Sequence, residues 1–132
     1  MKILKVIIIL FGLLMVSSAA DIAAGQYSGD WKSTGGGGNG SFKMSLEPGA
    51  GGTWKMDVVF SFGGTDVKTT MRTVKVEGSK IDASYDFDLM GNALTSHIKG
   101  ELKGATIEGT YQTTAADGSA ADEGVWNASR GK

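Results

Sequence analysis

The sequence predicts an all-β protein: an eight-stranded antiparallel up-and-down barrel, built as a meander of neighbouring hairpins. Three observations carry this expectation. From Gly25 onward apolar and polar residues alternate with a period of two, as they do in strands with one wet face. The chain holds 21 glycines and one proline, and most of the glycines punctuate the alternating runs as turns. All ten aromatic residues beyond position 20 fall on the apolar parity of their runs, and the opposite parity carries nearly all the charge.

The first twenty residues are expected to lie outside this fold. Lys2 and Lys5 precede an apolar run at 6–16, followed by the small residues Ser18, Ala19 and Ala20. That pattern reads as a secretory signal peptide, and the run is shorter than the roughly 20 apolar residues a membrane-spanning helix needs. Cleavage is expected after Ala20, with Ala24 the alternative. Residues 21–132 then form a single β-barrel domain, exported to the periplasm or the medium, with no membrane span in the mature chain. Removing Lys2 and Lys5 takes the formal charge from −1 to −3, and an acidic chain of mixed signs argues against nucleic acid as a partner. The chain has no cysteine, so lipid attachment at the cleavage site is excluded and an exported fold would rest on packing alone.

The strands follow in order. The first places Tyr27, Gly29 and Trp31 inward. The second, after a glycine run at 35–38, places Phe42, Met44 and Leu46 inward. The third offers Trp54, Met56, Val58, Phe60 and Phe62 against Lys55, Asp57, Val59 and Ser61. The fourth begins with Val67, Thr69 and Met71, then slips in phase to Val74 and Val76, which predicts a β-bulge at Arg72 and Thr73. The fifth places Ile81, Ala83, Tyr85, Phe87 and Leu89 inward, and the sixth Leu94, Ser96, Ile98, Gly100 and Leu102. The seventh offers Ile107, Gly109 and Tyr111, and the eighth Gly124, Trp126, Ala128 and Arg130. Closure of the meander removes both exposed edges. The first and last strands each carry an inward tryptophan and no proline, so they look like central strands that pair with each other.

The G-x-W of Gly29 to Trp31, together with the basic Arg130 near the end of the last strand, resembles the signature of the calycin barrels: lipocalins, fatty-acid-binding proteins and avidins. The resemblance implies that Gly29, Trp31 and Arg130 close one end of the barrel, with the basic side chain lying across the tryptophan. The chain departs from lipocalins in lacking a disulfide, a C-terminal helix and their greater length. If Trp31 stands opposite Trp126, Tyr27 falls opposite Arg130, which would then cover Tyr27 instead. Either placement preserves inward parity.

For function, the interior matters most. Trp31, Met44, Trp54, Met56, Phe60, Met71, Tyr85, Phe87, Tyr111 and Trp126 are the expected lining. Such side chains either fill an eight-stranded barrel or line a pocket for a small apolar or aromatic molecule. The expected function is therefore binding of such a ligand. The alternative is a solid-cored module that interacts through its outer face and loop tips, with Val59 and the loops at 35–40 and 115–121 as its hints.

No enzyme is expected. The single histidine, His97, has outer parity, the acidic residues are read as outward, and inward hydroxyls lack an evident base. No metal or cofactor is expected either. His97 lacks partners at ligand spacing, and Asp82, Asp86 and Asp88 share one outer face on which neighbouring positions stand about 6.6 Å apart. Asp117-Gly118 reads as a turn, and the glycine run lacks the lysine and helix of a phosphate loop. Asn39 and Asn127 each open a glycosylation pattern that matters only in a eukaryotic secretory pathway.

Overall fold

The computed structural model describes residues 20–131. The expected signal peptide lies outside the described residues, apart from Ala20. Among the described residues the chain forms nine strands: β1 (Gly25–Ser33), β2 (Asn39–Pro48), β3 (Trp54–Phe62), β4 (Thr65–Lys68), β5 (Thr70–Glu77), β6 (Lys80–Leu89), β7 (Asn92–Lys103), β8 (Thr106–Ala115) and β9 (Ala120–Arg130). They make one antiparallel sheet in the order β4-β3-β2-β1-β9-β8-β7-β6-β5, curled into a nearly closed barrel. The architecture is consistent with a calycin-like barrel.

Nine strands replace the expected eight because the fourth run divides at Thr69. Its first half pairs with β3, with Phe62 opposite Thr65 and Val59 opposite Lys68. Its second half pairs with β6, with Thr70 opposite Asp86 and Glu77 opposite Lys80. The run 65–77 therefore changes partner midway and spans the gap between the two sheet edges. At the break the Thr69 hydroxyl donates to the Val58 carbonyl at 2.8 Å, giving the end of the β3 ladder a side-chain partner. The expected bulge is present: Met71 faces Tyr85, Thr73 faces Ser84, and Arg72 is the extra residue.

The first and last strands do pair, with Trp31 opposite Trp126 and Tyr27 opposite Arg130. This pair lies in the middle of the sheet, so the remaining seam is at β4 and β5 and not between β1 and β9.

The glycines of two hairpins explain how the sheet curls so tightly. Across β1 and β2, Gly29 faces Phe42 and Trp31 faces Gly40. Across β8 and β9, Gly109 faces Trp126 and Tyr111 faces Gly124. Each glycine thus stands opposite an aromatic. A Cβ on Gly40 would fall 2.1 Å from the Ser61 carbonyl oxygen and 2.7 Å from the Trp31 indole nitrogen. The neighbouring backbone and ring occupy the space a side chain would need, and the ring covers the backbone that glycine leaves bare.

The lower end of the barrel is solid. Met44, Leu46, Val58 and Ile107 are among its fully buried side chains. Residues 21–24 cross beneath it. The Ile22 amide donates to the Gly78 carbonyl at 2.9 Å, its side chain is 4% exposed, and the Tyr27 hydroxyl donates to the Ala23 carbonyl at 2.6 Å. This strap joins the start of β1 to the β5–β6 turn and plugs that end.

Candidate functional site

The other end is hollow. A cavity of about 330 Å³ lies under the β1–β2, β6–β7 and β8–β9 turns. That places it at the small end of the range for small-molecule sites, roughly 300–1,000 Å³. Its walls are Trp31, Phe42, Phe60, Phe62, Tyr85, Phe87, Leu89, Leu94, Ile98, Tyr111 and Trp126, with Ser96 and Thr113 between them. The inward parity of β1, β2, β3 and β6 to β9 sends these side chains to one volume.

The rings form two groups, one centred on Trp31 and one a pair. Trp31 stacks on Phe62 at 6.2 Å and meets Phe60 and Tyr111 edge-on at 6.1 Å each. Phe60 meets Phe87 edge-on at 5.0 Å, and Phe42 tilts against Trp126 at 5.0 Å. Spacings of 4.5–7 Å are the favourable ones for aromatic pairs. Two indole N–H groups are anchored to backbone: Trp31 donates to the Ser61 carbonyl at 2.9 Å and Trp126 to the Thr110 carbonyl at 3.1 Å. Both rings are therefore held in place.

The mouth is polar and organised around Asp122. The Ser33 hydroxyl donates to Asp122 Oδ1 at 2.6 Å, and the Tyr111 hydroxyl donates to Oδ2 at 2.9 Å. Ser33 Oγ in turn accepts the amides of Gly35 at 3.1 Å and Gly37 at 2.9 Å. The glycine run is thus tied down at the mouth. Deeper in, Ser96 and Thr113 satisfy each other at 2.6 Å. Burial pushes the Tyr111 phenol well above its ordinary value, and the adjacent Asp122 carboxylate adds to the shift. Burial likewise raises Tyr85, offset in part by the Ser96 hydroxyl. Both phenols stay protonated at neutral pH, so Tyr111 is a hydrogen-bond donor there.

Of the ten side chains expected to line the interior, Trp31, Phe60, Tyr85, Phe87, Tyr111 and Trp126 border the cavity. Met44 and Met56 are buried in the solid lower core, and Trp54 and Met71 are half-buried beside it. These four do not reach the cavity, because inward parity selects a face and not a level along the barrel. Arg130 lies near the solid end: its side chain packs over Gly25, with Nε 2.9 Å from where a Cβ would stand. Trp31 is four residues from Tyr27, about 13 Å along the strand, and lies at the cavity end. Arg130 therefore does not cross Trp31, and the implied closure by Gly29, Trp31 and Arg130 as one group is not formed.

Sequence reasoning missed Ser33, Thr113 and Asp122. Asp122 corrects the expectation that the acidic residues face outward. It shares the parity of Gly124 and Trp126, but it lies before the inward residues expected for the last strand; β9 begins at Ala120, and its register with β8 shifts between Thr113 and Thr114, leaving Ala121 as the extra residue. Extending the alternation by two residues would have found it. Val59, expected to be exposed, is half-buried; the exposed large apolar side chains are Met90 and Val125.

On the outer face, His97 Nε2 lies 2.7 Å from Asp82 Oδ1. Asp86 accepts Thr95 at 2.6 Å and Arg72 at 3.3 Å, and these bonds, Thr95 first, hold its carboxyl below the usual range. Among the described residues no three His, Cys, Asp or Glu side chains gather as a metal site would require.

No family model, no curated protein and no solved structure matches this chain. Fold and site together define the class: an antiparallel meander β-barrel, nearly closed, solid at one end and with an aromatic-walled cavity at the other.

Proposed function

We propose that this is an exported, non-enzymatic binding protein that holds a small hydrophobic or aromatic molecule inside the barrel. The observation that carries the reading is the cavity itself. A barrel able to pack its lower half solidly keeps about 330 Å³ open among aromatic walls at its upper end. Convergent apolar walls with a few placed polar groups are the usual form of a small-molecule site. Against an enzyme stands the chemistry of the lining. Its titratable groups are Tyr85, Tyr111 and Asp122, with no imidazole, amine or thiol to activate the Ser33 hydroxyl.

The test is direct binding. An apolar dye whose emission depends on its environment should bind saturably, at one site per chain, and native mass spectrometry of protein from its source should show a bound species. Substituting Phe87 by Trp, which narrows the cavity, should weaken dye binding while the barrel stays folded. Dye binding unchanged by that substitution would place it outside the barrel and end this reading.

One observation favours a second reading, an interaction module acting through its loop tips. Met90 is 83% exposed at the β6–β7 turn and adopts a left-handed φ of 55°, which a non-glycine residue seldom takes. Capture of a partner that survives F87W and is lost in Met90→Gly would support it.

A further inference from the structure

We propose that the ligand is a cationic amphiphile: a small organic amine whose ammonium group sits against Asp122 at the mouth and whose apolar body lies among the rings below. This rests on the reading of the cavity as a ligand site.

The argument starts from the charge of the lining. Asp122 is its one carboxylate, and no lysine, arginine or histidine borders the cavity. None of the ion pairs among the described residues involves Asp122. Its two oxygens each accept one neutral hydroxyl, from Ser33 and Tyr111. A carboxylate oxygen can accept more than one bond, so each keeps a free lone pair. The two hydroxyls fix the group's position without neutralising it. Asp122 is half-buried at the mouth, and no cation borders the cavity to pair with it. An incoming ammonium supplies both the missing charge and the missing N–H donors.

The walls point the same way. Trp31, Phe62 and Tyr111 line the same cavity as Asp122, and the faces of aromatic rings attract cations. Asp122 is also tied to the glycine loop. A Cβ on Gly37 would stand 3.2 Å from Asp122 Oδ1 and 3.2 Å from Ser33 Oγ, so a side chain there would press both groups by a few tenths of an ångström. A ligand with a carboxylate head, such as a fatty acid, would meet Asp122 with no cation to offset the repulsion.

A purely structural Asp122, serving only to fasten that loop through Ser33, would give no preference for ligand charge. The experiment therefore varies charge on a constant body. Binding of 2-phenylethylamine, 2-phenylethanol and 3-phenylpropanoate is measured by calorimetry on the wild type and on Asp122→Asn, which keeps an acceptor oxygen and removes the charge. The expected result is the amine roughly tenfold tighter than the alcohol, with the carboxylate weakest, and a spread that collapses in D122N. Added salt should weaken the amine and leave the alcohol unchanged, which decides the matter in the wild type alone should D122N fold poorly. Equal binding of all three overturns the cationic assignment and leaves the cavity reading standing. Saturable binding by none of the three, and none by the apolar dye, overturns both.

Discussion

Trp31 is the residue on which most of the upper barrel converges. Its ring touches Phe60, Phe62 and Tyr111, and its indole N–H closes on the Ser61 carbonyl. Trp31→Ala should lower stability by about 3–5 kcal/mol, read by denaturant unfolding, and should also weaken ligand binding, since the ring borders the cavity. Binding lost with stability intact would show that the ring serves the ligand alone. Tyr85 and Tyr111 give a prediction in pH. Both phenols have raised values in the folded chain, because burial disfavours the phenolate and, for Tyr111, Asp122 repels it. Their contribution to stability is therefore complete below the ordinary tyrosine value of 10.0 and is lost as pH climbs above it. Absorbance titration of the native protein should show these two phenols ionising later than free tyrosine, and together with unfolding. Two phenolates forming in the intact fold near the ordinary value would contradict this.

At the scale of elements, the paired hairpins are the informative unit. The spacing Gly-x-aromatic was legible in β1, β8 and β9. The partner of each glycine was not. Alternation along a strand says which face a residue takes, whereas the residue opposite is set by register. Only pairing shows that Gly29-x-Trp31 and Gly40-x-Phe42 interlock, and that Gly109-x-Tyr111 and Gly124-x-Trp126 repeat the arrangement. Gly124→Ala tests it. The added Cβ would fall 2.1 Å from the Lys32 carbonyl oxygen and 2.7 Å from the Tyr111 hydroxyl, so strands β1 and β9 must separate. A loss of about 1–3 kcal/mol is expected in thermal or denaturant unfolding. Gly35→Ala, whose Cβ would meet nothing nearer than 3.9 Å, should be close to neutral. Equal effects at the two positions would remove the close-approach explanation.

At the scale of the molecule, the barrel has one plugged end and one open end. The plug depends on Ile22, so Ile22→Ala should cost about 2–5 kcal/mol. A chain beginning at Gly25 should be destabilised by more, since it also loses the Gly78 and Tyr27 hydrogen bonds. If the leader is removed as the sequence suggests, intact-mass measurement of exported protein should find Asp21 at the N-terminus, because cleavage after Ala24 discards the plug. The sequence by itself determined the class of fold, the inward face of each strand, the bulge at Arg72 and the neighbouring of β1 and β9, because a two-residue period and the placement of turns are local properties. Tertiary structure alone decided three things. It divided the fourth run at Thr69, where one strand must serve two neighbours. It set the level of each inward side chain, so that Met44 and Met56 pack the solid end while Phe42 and Phe62 border the hollow one. It also brought Ser33, Tyr111 and Asp122 together from three strands, a meeting of residues 89 positions apart that depends on register and curvature and leaves no mark on any single run.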